Sequence, residues 1–176
     1  MHFPRLFATV GLALAAFQRI RDTAKNNLAG AVNAYVMQDE ARHVTFGRMA
    51  LREYYPHLSD AERAEREEFV VEALYFMRDR FNQSEVWERL GLPAKMLDDI
   101  HYNSKQMQSF RGRLFSRVVP TVKDIGLWGP RVQKAFAEMG VMEYAKIDVV
   151  EQLANDGRVA EEFDRKMFVE KAIAAA

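Results

Sequence analysis

The feature that most constrains the fold is a long segment, residues 28–54, with an unbroken helical pattern. Pro56 follows it, and the residue before a proline disfavours helical backbone, so the predicted helix ends near Tyr54. Residues three or four apart lie on one face of a helix. The face that contains Glu40 carries mostly small or apolar residues and one histidine: Ala29, Val32, Val36, His43, Gly47, Ala50 and Tyr54. We therefore expect Glu40 and His43 to point towards a core.

An acid and a histidine on an apolar face are typical of a metal site. A lone ionised carboxylate in a core costs several kcal/mol unless it is paired or coordinated. A Glu-x-x-His pair that projects inward supplies metal ligands in four-helix di-metal carboxylate proteins. The chain has no cysteine, so its metal ligands are His, carboxylates and water, which suit iron, manganese or zinc. The pattern predicts metal binding by Glu40 and His43, and an ordinary buried Glu–His pair is the alternative.

The remaining sequence is helical in pattern, and a length of 176 residues favours a single domain. We expect an all-α fold over residues 1–176, with bundle helices in residues 1–81 and accessory helices in residues 91–176. A capping box at Ser59 and Glu62 opens the third helix, which we expect to end near Phe81. The other predicted helices are 4–23, 28–54, 84–90, 93–119, 131–139, 142–155 and 159–174. We expect Pro120 to end the helix 93–119.

Charge and hydropathy exclude some functions. The 25 basic and 25 acidic residues balance, so no net field favours nucleic acid or an anionic membrane. The uncharged residues 6–17 are too few to span a bilayer. They resemble the core of a signal peptide, but the pattern continues into a helix without a break, which favours a buried helix. We expect a cytoplasmic protein without nucleic-acid or membrane partners.

The segment around Glu40 resembles a known superfamily. Asp39-Glu40-x-x-His43, within DEARHVTFG and followed by LREYYPHLSDAERAEREEFV, resembles the second Asp-Glu-x-x-His motif of the ferritin-like di-iron oxidases. These include the small subunit of class I ribonucleotide reductase and the arylamine N-oxygenases. The resemblance covers residues 6–81, the C-terminal half of the family bundle.

The resemblance implies a ferritin-like bundle in which Glu40 and His43 bind iron, with manganese as a second candidate. It implies that Asp39 orients a histidine of a neighbouring helix through a hydrogen bond. The implied chemistry is O₂ activation by reduced iron, followed by oxidation of a small organic substrate or of the protein itself. No catalytic residue is assigned beyond these groups.

The sequence departs from the family pattern at several positions. The family's third core helix carries a Glu about thirty residues before the last Glu, a position that Val10 occupies here. The family's first two core helices, with their own Glu and Glu-x-x-His, are absent. The N-oxygenases carry an additional histidine one turn before the last Glu, where this chain has Val36, so an N-oxygenase centre is not supported.

A partial ligand set leaves several interpretations. The chain is either a truncated product that has lost its centre, or one half of a homodimer that rebuilds a four-helix bundle. The rival class is a non-catalytic helical interaction or dimerisation protein, in which Glu40 and His43 are merely paired. A fragment that folds poorly alone is a third possibility.

A second acid-x-x-His pair, Asp98 and His101, lies in the polar segment 98–105. A polar context favours a solvated helix face over a metal site. We therefore expect no metal there.

Overall fold

The computed structural model describes the backbone of residues 3–79 and 83–174, with side chains for 13–79, 83–159, 161, 162 and 164–166. Within these ranges every regular element is helical, which confirms the predicted all-α class. Two short 3₁₀ helices, Tyr55–His57 and Met142–Lys146, interrupt the α-helices. The α-helices are α1 (Phe3–Thr23), α2 (Asn27–Tyr54), α3 (Asp60–Asp79), α4 (Ser84–Arg89), α5 (Ala94–Asn103), α6 (Lys105–Asp124), α7 (Pro130–Glu138) and α8 (Val149–Ala174).

Local caps fix the ends of the first helices much as the sequence predicts. The Asn26 side chain accepts a hydrogen bond from the backbone N–H of Leu28 at 2.7 Å and so starts α2. The Ser59 N–H donates to the Glu62 carboxylate at 2.9 Å, and the Glu62 N–H donates to the Ser59 hydroxyl at 3.4 Å. The predicted capping box is therefore confirmed. The predicted end of α3 at Phe81 lies outside the described residues.

The largest apolar cluster forms around α6, which packs on α1 and contacts the turn at Met142–Lys146. A smaller cluster joins α1, α2 and α8 through Leu14, Met37, Ala41, Val44, Val149 and Leu153. Helix α8 runs along α2, where the Gln38 amide donates to the backbone carbonyl of Gly157 at 2.8 Å. Within the described residues, no helix combines the length and the hydropathy needed to cross a bilayer.

The prediction that Pro120 ends a helix is wrong, because α6 continues through it to Asp124. A proline inside a helix has no N–H and leaves the carbonyl four residues earlier without its helical partner. That carbonyl belongs to Ser116, and the Gln152 amide on α8 donates to it at 3.2 Å. A contact from a distant helix therefore compensates for the proline.

The predicted helix 93–119 is two helices, divided at Ser104. Ser104 has extended backbone and is the N-cap of α6, where its hydroxyl accepts from the Met107 N–H at 3.2 Å. The predicted helices 142–155 and 159–174 are instead the 3₁₀ turn Met142–Lys146 and the continuous helix α8. The backbone of Gly157 stays helical, so the glycine does not end the helix there.

Two ion pairs hold the long helices at fixed positions. The Arg117 guanidinium on α6 donates from Nη2 to Asp156 Oδ1 on α8 at 2.9 Å and to Gln18 Oε1 on α1 at 3.1 Å. Both charged side chains of this first pair are about nine-tenths buried. Arg48 on α2 donates to Asp124 at the end of α6 at 2.5 Å. Because buried charges are tolerated only when they are paired, these contacts define how α1, α2, α6 and α8 pack.

The buried pair predicts an asymmetry between single and double substitutions. Asp156→Ala leaves the Arg117 charge buried without its partner, so it should lower the free energy of unfolding by about 3–5 kcal/mol. The double change Arg117→Met with Asp156→Leu replaces the pair by apolar side chains, so it should lower the free energy of unfolding far less than Asp156→Ala alone. Denaturant unfolding monitored by circular dichroism measures both free energies.

The exposed pair between Arg131 and Glu68, 3.5 Å apart, is the matched control. Glu68→Ala should change the free energy of unfolding by less than about 1 kcal/mol, since exposed pairs contribute little. An effect of Asp156→Ala no larger than this control would contradict the structural role of the buried pair.

Candidate metal site

Glu40 and His43 lie close to the middle of α2 and side by side, as their spacing predicts. The Glu40 Oε2 atom is 3.6 Å from His43 Nδ1, which is too long for a hydrogen bond but close enough for a shared ligand. The Glu40 side chain is 27% exposed and the His43 side chain is 71% exposed. Both ligand-type groups are therefore reachable from solvent.

The prediction that Glu40 and His43 point into the core of this chain is wrong. The buried side of α2 consists of Gly30, Ala31, Ala34, Met37, Ala41, Val44, Gly47, Arg48 and Leu51. Successive residues of a helix are about 100° apart, so a face through Met37, Ala41 and Val44 leaves Glu40 at its border and His43 outside it. Arg48 also belongs to the buried side and pairs with Asp124.

A second apolar face of α2 surrounds the two ligand-type groups. We call it the motif face, and it consists of Leu28, Val32, Val36, Glu40, His43, Phe46, Ala50 and Tyr54. Several of its large side chains are exposed, with Phe46 at 75% and Leu28, Val32 and Tyr54 each at half or more. A contiguous exposed apolar surface is typical of an interaction site. The motif face therefore has the composition of an interior, yet within the described residues it is open to solvent.

Asp39 is engaged with its own helix. The Arg42 guanidinium donates to Asp39 Oδ1 at 2.9 Å, and both side chains are largely exposed. The predicted role of Asp39, orienting a histidine of a neighbouring helix, requires a helix that faces it from another chain or segment. That role stays a prediction.

The residues of one copy do not fit a di-iron centre. The helical-bundle pattern needs a Glu from each of two helices and a Glu-x-x-His pair from each of two others. Among the described residues, no group of three or more His, Asp and Glu side chains could hold a metal ion. Val10, which the sequence resemblance puts at the position of another ligand, lies outside the residues whose side chains are described. Within the described residues Glu40 and His43 therefore have no third ligand-type side chain beside them that would complete a metal site.

The expectation that Asp98 lies on a solvated helix face is wrong. Its side chain is only 9% exposed. It accepts hydrogen bonds from the Ser84 hydroxyl, from the Gln83 N–H at 2.9 Å and from Trp87 Nε1 at 3.2 Å. The Ser84 bond and then the Gln83 bond hold the pKa of Asp98 below its usual value. Asp98 therefore ties the start of α4 to α5, a structural role.

An all-α bundle whose long helix α2 carries Glu-x-x-His shares two features with the ferritin-like carboxylate proteins. The family model described as "P-aminobenzoate N-oxygenase AurF" matches residues 16–126, which is more than half of the chain. The chain therefore belongs to the AurF family, a family of ferritin-like di-iron oxygenases. No curated protein and no solved structure matches the sequence.

The family match extends the resemblance seen in the sequence. It continues past residue 81 through α4, α5 and α6, so that the central helix α6 belongs to the family region. It includes Asp39, Glu40 and His43. The match shows the family, and the placement of Val36 at the position of the N-oxygenases' additional histidine stays a prediction from the sequence resemblance.

The hydrogen bonds to Asp98 predict a pH-dependent contribution to stability. Because the folded-state pKa is lowered, the stabilisation is fully present above the ordinary Asp pKa of about 3.9 and is lost as pH falls through the folded-state value. Asp98→Asn should therefore lower the melting temperature at about pH 7, and its deficit relative to the unsubstituted protein should shrink below about pH 4.

Thermal melts at both pH values measure this deficit, with Asp99→Asn as the matched control because Asp99 is exposed. A deficit for Asp98→Asn that is the same at both pH values would contradict the assignment of a lowered pKa.

Proposed function

We propose that this chain binds iron, or manganese, through Glu40 and His43 in a four-helix site that a second copy of the chain completes. Such a site would make it a di-iron-oxygenase-type oxidoreductase that oxidises a small organic substrate with O₂. The observation that carries the proposal is the exposed motif face, which presents a Glu-x-x-His pair within apolar surroundings. The family supports the class of reaction and leaves the substrate unnamed.

The geometry supports a shared site in two ways. Glu40 and His43 are adjacent on one side of α2, so a single approach by another helix pair reaches both groups. A second copy doubles the set to two carboxylates and two imidazoles, which suit first-row divalent metals. The second copy therefore contributes one further carboxylate and one further imidazole, both from side chains that are partly or largely exposed.

The chain's own residues would have distinct roles at that site. Glu40 supplies negative charge that balances the cation, and neutral His43 supplies a nitrogen ligand. Phe46, Val36 and Tyr54 exclude water around the ligands when the face is covered, which strengthens electrostatic interactions there. Asp39 would release its hydrogen bond from Arg42 and accept one from a histidine N–H of the partner copy instead. A bound reduced metal supplies the reactivity towards O₂.

A non-catalytic dimerisation protein is the alternative. It is favoured by the Arg42 contact, which neutralises Asp39 without a metal, and by the small number of ligands in each copy. Under this alternative the motif face is an interface in which Glu40 and His43 pair across two copies. The alternative predicts a dimer without stoichiometric metal.

The proposal predicts that metal binding depends on the motif and not on the charge of α2 in general. Glu40→Ala and His43→Ala should each weaken iron or manganese binding by more than about 10-fold, the smaller effect already expected for the loss of an outer-shell partner. Glu53→Ala, which removes an exposed acid elsewhere on α2, should leave binding unchanged. Elemental analysis after equilibrium dialysis against Fe²⁺ or Mn²⁺ measures the bound metal.

Light scattering on the same samples reports the mass of the assembly. A dimer with less than about a tenth of a metal ion per chain, unaffected by Glu40→Ala, would favour the dimerisation protein and contradict the oxidoreductase proposal.

A further inference from the structure

A groove between α2 and α8 lies on the side of α2 that faces away from Glu40. Its volume of about 500 Å³ is within the range of small-molecule sites. Arg42, one of its lining residues, follows Glu40 by two positions, so the two side chains are about 160° apart around the helix. Phe46 borders both the groove and the motif face. The groove is otherwise a separate feature of the surface from the Glu40 and His43 pair.

The groove has an apolar floor and apolar walls. Ala41 of α2 and Leu153 of α8 are each less than a tenth exposed and form the floor. Phe46 and Met49 form a wall in which they are 75% and 53% exposed. Gly157 of α8 has no side chain, and a Cβ atom there would lie more than 4 Å from any atom of a neighbouring helix. An apolar group that enters this open space is removed from water, which is favourable.

The polar groups that line the groove are mostly paired within the chain. The Gln38 amide donates to the backbone carbonyl of Gly157 at 2.8 Å, and the Thr45 hydroxyl donates to the carbonyl of Ala41 at 2.7 Å. Among the described residues that line the groove, Arg42 alone is charged. Its Nη1 atom donates to Asp39 Oδ1 at 2.9 Å. Because a guanidinium group has five N–H donors, Arg42 can bind a second carboxylate beside Asp39.

We infer that the groove binds a medium-chain fatty acid, with its alkyl chain along Phe46 and Met49 and its carboxylate on Arg42. Charge complementarity selects this occupant, since one cation beside an apolar groove matches one anionic group on an apolar chain. Arg42 and Met49 are about 10 Å apart along the helix axis, so the groove suits an elongated molecule. The inference concerns a second site and does not depend on metal binding by Glu40 and His43.

Calorimetric titration of the whole chain with octanoate tests the inference. We expect saturable binding of about one octanoate per chain, and weaker binding of 1-octanol and of acetate, because each lacks one half of the ligand. Arg42→Gln should weaken octanoate binding by about 10-fold or more, since hydrogen bonds between charged groups are the strong ones. Arg89→Gln removes an exposed cation from α4 and is the matched control.

Two further variants change the groove without removing its cation. Gly157→Leu fills the groove, so it should weaken octanoate binding by more than about 10-fold while the melting temperature stays the same or rises, because Leu favours a helix more than Gly does. Ala154→Leu adds the same side chain at an exposed position of α8 outside the groove and is its control.

Asp39→Asn should strengthen octanoate binding by roughly 5-fold, since it removes a like charge beside the bound carboxylate. Glu53→Gln makes the same change of net charge elsewhere on α2 and should have no such effect.

Several results would overturn the inference. Octanoate that does not saturate, or whose binding is unchanged by both Arg42→Gln and Gly157→Leu, does not occupy the groove. Octanol that binds as tightly as octanoate excludes the pairing with Arg42. Binding that Glu40→Ala abolishes places the ligand on the motif face instead. A dimer, seen by light scattering, that Gly157→Leu dissociates would identify a second copy as the occupant.

Discussion

The account depends on one constraint, that α2 has two apolar faces and the chain covers only one of them. A helix turns by about 100° per residue, so a neighbour that packs on Met37, Ala41 and Val44 cannot also cover His43. Helices α1 and α8 pack against the first face, which lies around Met37, Ala41 and Val44, and bury it in a core. The second face keeps Glu40 and His43 at the surface. One face of α2 therefore packs in the core of the fold, and the other face carries the candidate site.

Contacts with α6 and α8 fix the position of α2 and therefore of its exposed motif face. Arg48 on α2 pairs with Asp124 of α6, and Gln38 reaches the backbone of Gly157 on α8. The buried pair of Arg117 and Asp156 joins α6 to α8 within the same region. A functional group works best on an element whose position is fixed by its neighbours. Glu40 and His43 have that support, and the proposed function takes the remaining ligands from a second copy.

Sequence patterns predicted the local features and missed those that depend on distant partners. Helix α2, the Ser59 capping box, the all-α class and the family all follow from periodicity, caps or motif. The continuation of α6 through Pro120 could not be predicted, because it depends on Gln152 of α8. The burial of Asp98 depends on Ser84, which precedes it on another helix. The sequence located the motif residues and missed their exposure, since both sides of α2 are apolar and only the packing of α1 and α8 distinguishes them.

The central claim of the proposed function is that a second copy covers the motif face, with its α2 antiparallel to that of the first copy so that the two Glu40 and His43 pairs meet. Thiol crosslinking tests this claim most directly. The chain has no cysteine, so Val32→Cys and Ala50→Cys each introduce a single thiol. Packed helices lie about 8–10 Å apart, within reach of a short bifunctional reagent. Mixing the two variants should give 32-to-50 crosslinked dimers, since identical positions lie about 27 Å apart along antiparallel helices. Monomers, or crosslinks only between identical positions, would contradict the account.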